Sequence, residues 1–327
     1  MPKRFIYFGL YLLLRGILAF KTMKIKNYFQ YILFAASASF LFACTERINI
    51  NTDDSPPRLV IYGYITTDTT QQAIRITRST GYFDTITSPG ISNAIVSISC
   101  EDAVYELKES SDEAGLYLTS PDVYGIPGKT YTLHASVDFD GDGNTEEYEA
   151  TSYLPFPVTL DSAAITQSNI LKDHLQVLVW GELPEESSNN FSLHCFRNGV
   201  IMNDSLIGFR SFQSDYIVNN KIEAMPIWLL DSEDDKEKLS PGDTITVQIE
   251  SITPEYATFM DNARTELRGP IPLFGGPPAN VETNIHCLNA NSKTGISGFF
   301  TAYSKCRTST IYITSLSDKS IQKSTGQ

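Results

Sequence analysis

From Leu59 onward the apolar residues of this chain recur at every second position, as in Ile74/Ile76, Val96/Ile98/Cys100, Leu175/Val177/Val179 and Ile245/Val247/Ile249. A period of two sends successive side chains to opposite faces of an extended backbone, so each run reads as a strand with one inward face. Turn residues punctuate the runs closely: Asp112-Glu-Ala-Gly115, Pro127-Gly128, Asn198-Gly199 and Pro241-Gly242-Asp243. Short strands separated by such turns predict a mainly β fold of two antiparallel β-sandwich-like units. One segment departs from the pattern. Thr253 suits an N-cap and Pro254 the first helical position, while Tyr256, Phe259, Met260, Ala263 and Leu267 keep helical spacing until Gly269-Pro270. These features predict one amphipathic helix near 254–268, laid on a sheet of the second unit.

The 327 residues suffice for one large domain or two ordinary ones, and a 42% hydrophobic, 19% charged composition supplies a sizeable core. That composition excludes a disordered tail, a collagen-like rod and a coiled coil. The strongest internal boundary is Leu154-Pro155-Phe156-Pro157, whose prolines interrupt strand pairing. It divides an N-terminal β-sandwich, residues 58–154, from a C-terminal β-rich domain, residues 155–317, that carries the helix. Gly275-Gly276-Pro277-Pro278 reads as a loop and residues 318–327 as a flexible tail.

The first 43 residues stand apart. They hold six basic side chains (Lys3, Arg4, Arg15, Lys21, Lys24 and Lys26) and no acid. From Met23 the chain shows a basic start, an apolar run from Tyr31 to Ala43, and then Leu41-Phe42-Ala43-Cys44. A short basic region, an apolar stretch and small residues before a cut define a secretory signal. Cysteine directly after Leu-x-Ala resembles a bacterial lipoprotein signal, in which the thiol, here Cys44, is acylated before cleavage. A transmembrane anchor is the alternative, but the run is short for a span of roughly 20 residues. The earlier run Phe5–Leu14, broken by Arg15 and followed by a fresh Met23, reads as a start assigned too early. Two or more acyl chains make attachment effectively stable. Residues 44–57 then read as a polar tether. Beyond residue 43 the chain carries 38 acidic and 19 basic side chains, a balance that repels phosphate backbones and excludes nucleic-acid binding.

Several motifs recur here in a defined order: Cys44 and its tether, Leu59-Val-Ile-Tyr-Gly-Tyr-Ile, Asn93-Ala-Ile-Val-Ser-Ile, and Gly128-Lys-Thr-Tyr-Thr-Leu. Leu154-Pro-Phe-Pro-Val-Thr-Leu-Asp-Ser, the Pro254 helix, Pro278-Ala-Asn-Val-Glu-Thr-Asn and Gly298-Phe-Phe-Thr-Ala-Tyr-Ser follow. In that order they resemble the DUF4249 family of Bacteroidetes outer-membrane lipoproteins over essentially the whole mature chain. Members of that family are often encoded beside TonB-dependent outer-membrane receptors. The resemblance therefore implies a location, on either face of the outer membrane, and a receptor partner. It brings no catalytic residues with it.

The sharpest chemical motif is Asp138-x-Asp140-x-Asp142-Gly143-Asn144 with Glu149 in the twelfth position, the pattern of a calcium loop. Alternate oxygens would converge on a hard cation, Gly143 would permit the turn, and Glu149 would close the site. The flanks read as strands rather than helices, and Thr145 stands at the usual apolar position, so a calcium-clipped hairpin and a solvated Asp/Gly turn are both open readings. Cys100 and Cys195 share parity with apolar neighbours and read as core thiols. Cys287 and Cys306 are candidates for a disulfide, against two unpaired thiols. His134, His174, His194 and His286 are scattered, with no metal-ligand, nucleophile-elbow or phosphate-loop spacing around them. The abundant Tyr and Phe, with Trp180 and Trp228, suit core or edge packing better than a sugar or peptide groove.

The expectation drawn from these observations is a non-enzymatic accessory or binding subunit beside a TonB-dependent receptor in nutrient uptake, anchored through Cys44. A structural or adhesive cell-surface β-sandwich module is the alternative, and a hydrolase ranks third for want of a nucleophile or metal motif. Calcium is the only cofactor the residues suggest.

Overall fold

In a computed structural model of the chain the alternating runs become strands of one large mixed sheet and one small antiparallel sheet. Residues 56–81, 87–171, 174–185, 189–231, 233–268, 281–289, 292, 294–313 and 324–325 are described. Cys44, most of the tether and the Gly275–Pro278 loop lie outside them. In chain order the first strands are β1 (Leu59–Thr66), β2 (Ala73–Arg78), β3 (Ile95–Cys100), β4 (Ala103–Glu109), β5 (Leu116–Leu118), β6 (Thr130–Val137) and β7 (Glu146–Tyr153). After the Pro155/Pro157 break come β8 (Thr159–Gln167), β9 (Leu175–Glu182), β10 (Asn190–Arg197), β11 (Val200–Ile201), β12 (Ser211–Gln213), β13 (Lys221–Leu230) and β14 (Thr244–Ile252). The helix α1 (Pro254–Arg268) follows, then β15 (His286–Cys287), β16 (Ile296–Ile311) and β17 (Ser324–Thr325).

The large sheet runs β11-β10-β14-β16-β1-β2-β5-β4-β3-β6-β7-β15, and the small one β13-β9-β8-β17. Pairing is antiparallel as expected, with one departure. β1 and β16 run parallel, in register from Leu59 opposite Ile296 to Thr66 opposite Tyr303. Beyond Tyr303 the same strand pairs antiparallel with β14, from Ser304 opposite Ser251 to Ile311 opposite Thr244. A single long strand thus changes partner halfway. Its first half would leave backbone groups unpaired on the side away from β1, a costly state in a buried strand. Asn284 fills the gap: its amide accepts from Phe300 N (3.0 Å) and donates to the carbonyls of Phe300 (2.8 Å) and Thr151 (3.2 Å). Ser152 Oγ accepts from Ala302 N at 2.9 Å, completing the tie between β7 and β16.

Strand alternation then builds two cores on one face of the large sheet. Leu59, Ile61, Ile65, Phe300 and Ala302 pack with Ile98, Leu133 and Tyr148 in the first. Leu193, Cys195, Val247 and Ile249 pack with Val177, Val179 and Trp228 of the small sheet in the second. Leu154 belongs to the first core and Val158 to the second, so the chain crosses between them at the Pro155/Pro157 break. Residues 155–317 do not all serve the second core, because Ile285, Phe300 and Ala302 complete the first. Residues 53–327 accordingly form one compact unit. Of the tail at 318–327, Ser324–Thr325 pairs with β8 and the rest lies outside the described residues.

The helix spans the predicted residues. Thr253 Oγ1 accepts from Tyr256 N at 3.2 Å, capping an end where Pro254 lacks a donor to satisfy. Tyr256 and Ala257 are buried, whereas Leu267, expected on the apolar stripe, is exposed.

Gly298 carries the parallel pairing. Its φ is +103°, and a Cβ there would stand 2.0 Å from the Ile61 carbonyl oxygen of β1. Gly298→Ala is expected to lower stability by about 2–4 kcal/mol, read as a drop in the urea midpoint. Gly141 supplies the control, since its φ is +77° but nothing lies within 4 Å of an added Cβ. Gly141→Ala should cost about 1 kcal/mol. Equal losses would mean that backbone conformation alone, not contact with β1, sets the requirement.

Candidate functional site

The outward positions of four adjoining strands, on the face opposite the two cores, carry an unusual set of side chains. β1 presents Tyr62 and Tyr64 between its inward Ile61 and Ile65; β16 presents Phe299, Tyr303, Lys305 and Arg307 between Phe300, Ala302 and Cys306. β14 contributes Gln248 and Glu250, and β10 contributes Ser192 and His194, with Ser192 directly opposite Glu250 and His194 opposite Gln248. Helix α1 lies over this face. Its Tyr256 and Ala257 pack on Ile252, Phe299, Tyr303 and Phe209, and Phe259 and Met260 pack alongside. The helix does not close the face completely. A groove of about 460 Å³ remains, walled by Tyr62, Tyr64, Tyr256, Phe259 and Tyr303, floored by His194 and Glu250, and rimmed by Asp204 and Ser205.

The floor is a connected polar network. Glu250 Oε2 accepts from Ser192 Oγ (2.7 Å) and lies 3.3 Å from His194 Nε2, while Oε1 accepts from Gln248 Nε2 at 2.7 Å. Gln248 Oε1 accepts from Arg307 Nε at 2.5 Å, and Arg307 and Lys305 both meet Asp68 Oδ2, at 3.3 and 3.0 Å. Burial alone would push the Glu250 carboxyl up. The His194 and Ser192 bonds, with the charges of His194 and Lys305, outweigh burial and hold it below the ordinary value of 4.5. The tyrosines shift the other way. Burial raises Tyr62, Tyr256 and Tyr303, reinforced by the Glu250 charge, so their hydroxyls stay protonated. Tyr62 and Tyr256 hydroxyls share a 2.9 Å hydrogen bond across the groove wall. His194 Nδ1 is buried and has no protein partner.

The network has the residue types of a Ser–His–Glu triad but not its wiring. A nucleophilic serine must hand its proton to the imidazole. Ser192 instead bonds the carboxylate and is fully buried.

The calcium motif is assembled only in part. Carboxylate oxygens of Asp138, Asp140 and Asp142 lie within 4.8 Å of one another. Glu149 is absent from the group, because β6 and β7 pair Val137 with Glu146 and carry Glu149 three pairs up the hairpin. There its Oε2 lies 3.4 Å from His134 Nδ1. Asn144 turns its side chain onto Asp142 Oδ2 at 3.0 Å, and Asp138 accepts from Gly141 N (2.8 Å) and Gly143 N (3.1 Å). An exiting helix would swing the twelfth residue back toward the loop; a strand carries it away.

Cys287 and Cys306 are both free thiols, the unpaired one of the two open readings. β15 sits at the far edge of the large sheet, with Cys287 opposite Tyr148 and against the first core, whereas Cys306 faces the second core. Cys100 packs half-buried on the first core. Cys195 is fully buried in the second, and burial pushes its thiol up to about 12. Trp228 is also in the second core, under the Arg210 guanidinium, and Trp180 is half-buried on β9, so the groove contains neither tryptophan. Aromatic walls, set aside above in favour of packing, come from Tyr and Phe instead. The polar floor had no linear motif, since His194 and Glu250 are far apart in sequence. Its one sequence signal is parity: Ser192/His194 and Gln248/Glu250 are polar at alternate positions of otherwise apolar strands.

Residues 45–309 match the family DUF4249, a domain of unknown function, and the chain belongs to that family. Comparison with curated proteins gave no match.

Two outcomes follow from this geometry. A carboxyl held below 4.5 stabilises the fold above that pH and loses the contribution as the pH falls through its lowered value. The difference in unfolding free energy between parent and Glu250→Gln, followed by denaturant titration across pH, is therefore expected to be largest at neutral pH, about 1–3 kcal/mol, and to shrink below pH 4.5. A constant difference would mean that Glu250 is not charged in the fold. For the hairpin, three carboxylates without the closing Glu149 fit only a weak calcium site, in roughly the millimolar range. Calorimetric titration should give a response lost in Asp140→Asn and retained in Glu149→Gln. Micromolar binding that needs Glu149 would restore the full motif.

Proposed function

We propose that this chain is a non-enzymatic binding subunit, anchored to the outer membrane through a lipidated Cys44, that presents its helix-covered groove to a small ligand beside a TonB-dependent receptor. The observation that carries the reading is the groove: aromatic walls over a few convergent polar groups are the ordinary make-up of a small-molecule site. Ser192, with its proton on Glu250 and no solvent access, argues for binding rather than catalysis.

The anchor rests on the signal pattern ending at Cys44, and the family match starting at residue 45 agrees with a mature chain that begins there. No helix among the described residues is long and apolar enough to cross a membrane. A tether of about a dozen residues would hold the body near its partner and raise their effective concentration. The receptor itself is an inference from the family's usual neighbours. An adhesive role is less well supported, because strand addition needs a long open edge. The exposed edge β13 carries Pro226 and two register shifts, and β11, β12 and β15 are only two or three residues long.

The test is affinity capture of the tagged chain from native membranes in mild detergent. The expected result is a stoichiometric outer-membrane barrel, with Cys44→Ser moving the chain to the soluble fraction and sharply reducing recovery of the barrel. Recovery of the chain alone or as homopolymers would overturn the reading.

A further inference from the structure

We propose that the groove takes an uncharged, polyhydroxylated ring, the chemical class of a neutral saccharide. The inference rests on the groove being the binding site, and it follows from asking what each wall and floor group has left to offer.

Charge decides first. Glu250 is the one buried carboxylate of the floor, and its charge is already answered by His194 and Lys305. The Lys305 ammonium also lies 5.3 Å from the Tyr303 ring centre and 6.0 Å from that of Tyr64. The attractions that would draw in a cationic ligand, a carboxylate and an aromatic face, are thus occupied from within. An anionic ligand meets Asp204 on the rim and a chain that beyond residue 43 carries 38 acidic against 19 basic side chains. Neither sign of charge gains by entering.

Polarity decides next. A wholly apolar ligand would leave unanswered the remaining capacity of the Tyr62–Tyr256 hydroxyl pair. Each buried group left unpaired costs about 1–3 kcal/mol. In the hydroxyl pair one proton is shared and the other is free, so the pair still donates once and accepts. Glu250 has three donors on it and room for a fourth. The hydroxyl pair can give and take a hydrogen bond and the carboxylate can only accept one, and a ligand hydroxyl, which both donates and accepts, can serve either. The walls complete the match. Tyr62 and Phe259, both half-buried, leave ring surface for the C–H faces of a sugar, and about 460 Å³ falls within the ~300–1,000 Å³ usual for small-molecule sites.

The experiment presents the detergent-solubilised mature chain to an array of neutral oligosaccharides, with oleate, choline, a dipeptide and glucose 6-phosphate as parallel probes, and quantifies hits by calorimetry. Saturable binding of a neutral saccharide is expected, weakened roughly tenfold or more by Phe259→Ala. Tyr62→Phe removes one hydroxyl without changing the packing, and about a tenfold loss is expected there. Circular dichroism confirms that each variant is folded. If oleate or a charged probe binds instead and Tyr62→Phe or Phe259→Ala weakens it, the saccharide assignment falls while the groove remains the site. If no probe binds and both variants recover the receptor as well as the parent does, the groove reading itself falls.

Discussion

The whole arrangement hangs on the change of partner along β16. One 16-residue strand runs parallel to β1 over its first half and antiparallel to β14 over its second. Because alternation is unbroken across the change, Phe300, Ala302 and Cys306 all point to the same face. That face therefore receives both cores in succession, and the opposite face is left to Phe299, Tyr303, Lys305 and Arg307. The change also creates a local deficit of backbone partners, which Asn284 and Ser152 make good from the β7 side. A strand of this kind joins the two cores more firmly than a linker would, because parting them would break its ladder hydrogen bonds to β1 or to β14.

The same strand organises the electrostatics of the outer face. Lys305 and Arg307 reach Asp68 on one side, and Arg307 reaches Gln248 on the other; Gln248 passes the connection to Glu250, and Glu250 to Ser192 and His194. Neutral Gln248 and Ser192 donate to the buried carboxylate and the His194 and Lys305 charges favour it, so it is held ionised. Isolated, such a charge would be expensive to bury and would neutralise itself. In the chain it anchors, it stays ionised, and burial, reinforced by its charge, keeps the neighbouring tyrosines protonated.

What could be read from the sequence was what depends on near neighbours. The period of two announced the strands, Thr253-Pro254 and Gly269-Pro270 bracketed the helix, and Leu154-Pro155-Phe156-Pro157 marked the passage from one core to the other. Glycine at 298 sat inside a recognisable family motif, yet nothing local revealed that it faces the Ile61 carbonyl of a parallel neighbour. Parallel pairing joins residues more than 200 positions apart, and no turn residue records it. The calcium motif is assembled only in part: three aspartates gather, but spacing becomes full convergence only when the backbone curls, and here a hairpin carries Glu149 to His134. Proximity in the chain, on either side of a loop, likewise does not bring Cys287 and Cys306 together, since they pack against different cores. For the groove, period two showed which residues share a face of each strand. It did not show which strands stand side by side.

The polar floor is also a device for register. Apolar residues at 192, 194, 248 and 250 would bury as well, and replacing buried charged groups by well-packed apolar ones is often neutral or stabilising. A two-residue slip between β10 and β14 would keep every side chain on its proper face, so hydrophobic parity alone cannot forbid it. The hydrogen bond from Ser192 to the directly opposite Glu250 can. Slipped either way, Ser192 would face Gln248 or Ile252, and the carboxylate would be buried without the serine proton. The correct alignment of β10 also brings His194 to the floor beside Glu250, under the edge of α1. A binding surface and the pairing of the strands that form it are thus specified by the same few atoms, and a change that loosens one would loosen the other.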